Sequence, residues 1–201
     1  MIIRQRSLWF IPFVSLLWLA WVPPAMAIDA QTQRLERDFQ SAVAQYESGR
    51  LPEAAQRLET LVREAPESFE IHELLGLVYS AQSLDAKANL HLQRAVRLKP
   101  GSASARTNLA ANLMRLGKVE LAGVEFRKAV ELEPGNFDTN HNLGEFYIRS
   151  GKVAEAAPFL GQAQKINPSS YDNGYDLALG YLLTGKLADA RQLVEDRKSV
   201  V

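Results

Sequence analysis

Prolines stand at Pro66, Pro100, Pro134 and Pro168, each 34 residues after the last. Two of the phrases around them nearly coincide, AVRLKPGS at 95–102 and AVELEPGN at 129–136. A fixed period of this size means one supersecondary unit used several times, which leaves few folds open. Inside the unit the pattern is helical. Leu75, Leu109, Leu143 and Leu177 recur at one position, each followed by a small residue, Gly76, Ala110, Gly144 or Ala178. Four residues after each leucine, on the same helix face, comes Tyr79, Leu113, Tyr147 or Tyr181. Gly117, Gly151 and Gly185 then mark a left-handed helix end. A second helix follows, with Ala54, Ala88, Ala122, Ala156 and Ala190 at one position, small enough for a close helix crossing. Ala95, Ala129 and Ala163 continue that stripe, and the proline stops the helix. A helix pair this small cannot bury its own apolar stripe, so neighbouring pairs must stack. The expected fold is all-α, a solenoid of stacked antiparallel helix pairs.

The pattern, whole in ARTNLAANLMRLGKVELAGVEFRKAVELEPG, resembles the tetratricopeptide repeat family. The resemblance covers units at about residues 35–68, 69–102, 103–136, 137–170 and 171–201, together making one domain over residues 28–201. The first unit departs from the family pattern at Ser41 and Gln45 but keeps Glu53, Ala54 and Pro66; the last reaches Val201 without a closing proline. The resemblance implies a superhelix whose concave face is built from the first helix of each unit. It also implies binding of a peptide or another protein, and no enzymatic activity. Some members clamp a chaperone's terminal carboxylate with a lysine; here Phe39, Glu73, Thr107 and His141 occupy that position, so this clamp is not expected.

Carried over position by position, the groove is expected to present Thr107, Asn108, Ala111 and Arg115 from the third unit. The fourth unit offers His141, Asn142, Glu145 and Arg149, and the fifth Tyr175 and Leu179. Ser104, Met114, Asp138, Ile148, Asp172, Asp176, Leu182 and Leu183 share those helix faces. Asparagine amides can bond a peptide backbone as donor and acceptor together. Arginine forks suit a carboxylate. His141, Glu145 and Arg149 fall at i, i+4, i+8, and Glu145 can equally pair with Arg149 along the helix.

Residues 1–27, MIIRQRSLWFIPFVSLLWLAWVPPAMA, have the three parts of a secretory signal: Arg4 and Arg6, an apolar run of 15 residues from Leu8 to Val22, and Ala25-Met26-Ala27 before a cut at Ile28. The run is shorter than the ~20 residues of a membrane span. The expectation is export to the periplasm or outside the cell. The alternative is an uncleaved membrane anchor, with Trp9, Trp18 and Trp21 at the interface.

Basic and acidic residues both number 23, so net charge recruits neither nucleic acid nor an anionic membrane. No cysteine is present, which removes disulfides, thiolate metal sites and a thiol nucleophile. The three histidines, His72, His91 and His141, form no H-E-x-x-H helix, and no phosphate loop, dinucleotide fingerprint or nucleophile elbow occurs. No cofactor, metal or catalytic residue is expected. The sequence thus points to an exported scaffold or adaptor that takes a partner's segment in its groove. The alternative is a structural spacer or oligomerisation module, part of a longer protein with a separate effector domain.

Overall fold

The computed structural model describes residues 24–198, and the side chains of residues 30–195. Most of the expected leader, residues 1–23, lies outside the described residues. Among the described residues the chain is ten helices and no strand. The first helices of the units are α1 (Pro24–Glu47), α3 (Phe69–Ala81), α5 (Ala103–Arg115), α7 (Phe137–Arg149) and α9 (Tyr171–Leu183). The second helices are α2 (Leu51–Glu64), α4 (Asp85–Leu98), α6 (Val119–Leu132), α8 (Val153–Ile166) and α10 (Leu187–Lys198).

Local chemistry sets these ends at the same period. Ser68, Ser102, Asn136 and Ser170 are the N-caps of α3, α5, α7 and α9, and their side-chain oxygens accept from Ile71, Ala105, Thr139 and Asn173 N–H. A cap of this kind satisfies a backbone donor that the first helical turn leaves free. At the other end, Lys118 N–H reaches Leu113 O at 2.9 Å and Gly117 N–H reaches Met114 O at 3.0 Å, with Gly117 at φ +70°. This is the left-handed cap that reverses the chain into the second helix. Gly49, Gly151 and Gly185 repeat it, whereas in the second unit Ser83 adopts φ +59° without being glycine. Helix α8 runs through Pro158 to Ile166.

Each helix packs on the next in sequence. The first helices also touch one another, α1 on α3, α3 on α5, α5 on α7 and α7 on α9, while among the described residues no two second helices are in contact. Helices that meet on one side and part on the other describe a curve, so the first helices line its inner radius. Between the layers, Ala54, Ala88, Ala122 and Ala156 are all fully buried, as are Leu58, Leu92 and Leu160. The small residue after the recurrent leucine explains itself here. A Cβ on Gly76 would lie 2.6 Å from Leu92 Cγ, and one on Gly144 would lie 2.5 Å from Leu160. The main core runs through units one to four, and Tyr147 links it to a smaller cluster of Ala156, Leu160 and Leu177.

Candidate groove on the inner helix layer

The inner radius puts the outward edges of α5 and α7 side by side. Between them lies a hollow of about 310 Å³ lined by Ala111, Met114, Arg115, Phe126, Asn142, Glu145, Phe146 and Arg149. Six of these, Ala111, Met114, Arg115, Asn142, Glu145 and Arg149, are among the residues the sequence singles out. The floor is apolar: Phe126 and Phe146 rings meet at 5.5 Å. The rim carries the charge.

The rim groups are not free. Arg115 Nε donates to Asp85 Oδ1 at 2.6 Å, a partner on α4 that lies 30 residues away in sequence. Arg149 pairs with Glu145 at 3.4 Å along its own helix. Asn142 Nδ2 donates to Asp138 O at 2.6 Å, which leaves its amide oxygen for a ligand. Both arginine pairs are solvent-exposed, and exposed pairs contribute only about 0.2–1 kcal/mol, so a ligand carboxylate can exchange for either.

The remaining candidates stand apart from this hollow. Asn108 turns toward α3, where its amide and the Ser104 hydroxyl both donate to Glu73 Oε1, at 3.3 and 3.0 Å. The Thr107 hydroxyl is buried and has no hydrogen-bond partner. His141 bonds across to α9 through Nδ1 and Asn173 Oδ1 at 3.3 Å, and its ring stacks on Phe137. Asn173 is itself fixed, donating to Leu160 O and Gln164 Oε1, both at 3.0 Å. On α9, Tyr175 is exposed and Leu179 is half-buried. Asp176 joins the inner face beside them. Burial pushes its carboxyl above the usual range, His141 draws it back down, and Glu145 and Asp172 add to the rise.

Phe126 and Phe146, which floor the hollow, are not among the residues the sequence singles out. Only the run Phe146-Tyr147 hinted at it, because two successive aromatic residues cannot both point at one helix neighbour.

Helix–turn–helix units stacked with the first helices inward define a repeat solenoid of the kind that serves as a protein-interaction scaffold. Tetratricopeptide repeat models match residues 39–103, 103–136, 125–157 and 174–196, and the chain is therefore built of tetratricopeptide repeats. Proteins of such repeats are in general non-enzymatic scaffolds. A comparison with curated proteins finds no match. Among solved structures, Pseudomonas aeruginosa PilF is similar with a TM-score of 0.75 at 17% identity, over 85% of this chain and 78% of that one. MamA of Desulfovibrio magneticus RS-1 is similar with a TM-score of 0.72 at 14% identity, over 82% and 93%. YrrB, described as a TPR protein with an unusual peptide-binding site, gives 0.67 at 16% identity, over 88% and 91%. At these identities the likeness is one of fold.

Proposed function

We propose that this protein is an exported adaptor that binds an extended segment of another protein along the inner face of α5, α7 and α9. The observation that carries the reading is the hollow between α5 and α7. Two neighbouring repeats bring an apolar floor, two arginine forks and an amide oxygen to one place. A few such side chains suffice for a peptide, because most binding energy comes from a small buried cluster inside a polar rim. The peptide-binding site described for YrrB, a protein of the same fold, supports the reading. The leader sequence supports export, and N-terminal sequencing of the mature protein tests it: a chain beginning at Ile28 supports cleavage, and one beginning at Met1 overturns it.

The adaptor reading is tested by capture from the exported fraction, with wild type beside Arg115→Glu/Arg149→Glu and circular dichroism confirming equal helicity. A partner held by wild type and lost by the folded variant supports it. Identical captures by both, or none by either, refute it. A second reading, a spacer or assembly module, draws on the last unit, where Leu182, Leu183 and Leu187 are 54%, 62% and 65% exposed. Sedimentation that shows only monomer at high concentration counts against assembly through that end.

A further inference from the structure

On the far side of Met114, Phe146 and Arg149 lies a second and larger hollow, about 530 Å³, at the seam between α6 and α7. It shares those three residues with the inner groove as a common wall and is otherwise built from α6 and the α7–α8 turn. One residue sets how its wall is packed. The position of Gly123 is filled by Ala55, Asn89, Ala157 and Arg191 in the other units. A Cβ on Gly123 would come within 2.8 Å of Phe146 Cζ, so the ring nests against bare backbone. Met114, Val119, Val124 and Phe146 give the hollow apolar walls.

Its charge is particular to this unit. Arg127 and Lys152 line the hollow, and neither side chain has a carboxylate or hydrogen-bond partner among the described residues. Glu120 is the one acidic residue lining it. The Ser150 hydroxyl, also in the lining, is buried with no hydrogen-bond partner. The same seam two units earlier, between α2 and α3, holds a hollow of about 580 Å³ that includes Ala55, Glu59 and Tyr79. There Glu59 stands at the position of Arg127 and is already engaged by the Tyr79 hydroxyl. The stacking therefore produces the hollow, and the local sequence sets its charge: satisfied at α2–α3, cationic and unsatisfied at α6–α7. An unpaired guanidinium and ammonium around an apolar cavity select a ligand with anionic groups flanking an apolar one.

We propose that the α6–α7 seam is a docking site separate from the inner groove, and that its occupant is an acidic peptide segment. An apolar side chain of that segment enters beside Phe146, and flanking carboxylates meet Arg127 and Lys152. A hydrogen-bonding group of the segment satisfies Ser150. Because the site lies outside the inner face, a partner can be held there while the groove is occupied or empty.

The test is fluorescence anisotropy on the full chain with two labelled, carboxy-amidated dodecapeptides. One has a central leucine pair flanked by glutamates, and the other has the same leucines flanked by lysines. The glutamate peptide is expected to bind, to weaken with added salt, and to lose about tenfold in affinity with Arg127→Glu/Lys152→Glu. Both substituted side chains are exposed and unpaired, so the variant keeps its fold. Arg115→Glu, which alters only the groove, is expected to leave this binding unchanged. No binding of the glutamate peptide, or equal binding of the lysine peptide, overturns the proposal. Loss with Arg115→Glu but not with Arg127→Glu/Lys152→Glu also overturns it, by returning the peptide to the groove.

Discussion

The Nδ1 atoms of His72 and His91 lie 3.0 Å apart in a stacked pair that joins α3 to α4. His72 Nε2 is 3.0 Å from Pro66 O, a carbonyl that can only accept, so that nitrogen carries the proton. His72 Nδ1 is then the acceptor, and His91 Nδ1–H donates to it. Protons on both Nδ1 atoms would set two donors head to head. Burial lowers the His91 pKa from its ordinary 6.5, His72 lowers it further, and Glu59 partly restores it. As pH falls, the unfolded chain therefore takes up this proton before the folded one does. The stability tied to His91 is full above about pH 6.5 and declines below it, until the folded residue protonates too. Melting temperature measured from pH 8 to pH 5 should fall on the acid side. In His91→Gln the fall should be shallower.

The turn between α3 and α4 holds Ser83 at φ +59°, where the corresponding turns use glycine. Left-handed backbone costs an L-residue roughly 1–2 kcal/mol, and glycine returns part of that gain as chain entropy. Ser83→Gly should raise stability by roughly 0.5–1 kcal/mol, read from a urea unfolding midpoint.

Gly76 faces Leu92, which is fully buried and cannot withdraw. Overpacking of this kind costs about 1–3 kcal/mol, against about 1 kcal/mol of helix propensity gained on leaving glycine. Gly76→Ala should therefore destabilise by about 1 kcal/mol on balance. Gly101→Ala, with nothing within 4 Å of the new methyl, should not destabilise, and the two midpoints side by side check the argument.

Asn89 Nδ2 donates to Asn112 Oδ1 at 3.0 Å, and Asn112 Nδ2 donates to Asp85 O at 3.1 Å, closing the α4–α5 seam with buried amides. Asn112→Ala takes the acceptor away from the buried Asn89 amide and should cost about 1–3 kcal/mol. Ala55 and Val78 occupy the same two positions in the α2–α3 seam, where both are buried. Asn89→Ala/Asn112→Val imports that apolar pair and should recover most of the loss. A double mutant as unstable as Asn112→Ala would refute the equivalence of the seams.

Much of the architecture was legible because its causes are local. A leucine every 34 residues with a small neighbour, a glycine where the chain reverses, and an alanine at the crossing act within a few residues of themselves. The caps at Ser68, Ser102, Asn136 and Ser170 are equally local, each two residues after the recurrent proline. The inner-face residues of α5 and α7 follow from helix position, and six of them line one hollow. Their partners were not legible. Asp85 reaches Arg115 from another unit, and Asn173 reaches His141 from the next one.

By itself, the sequence determined the repeat, its helices, their turns and the residues that face inward, since helical period, backbone conformation and side-chain size are properties of short stretches. Only the tertiary structure decided which inward residues are free and which are bonded, and where hollows open. The seam beside Gly123 shows why: its shape depends on Phe146 arriving from the following unit at one particular height. That height is set by how two whole helix pairs stack, and no stretch of the chain shorter than both carries it.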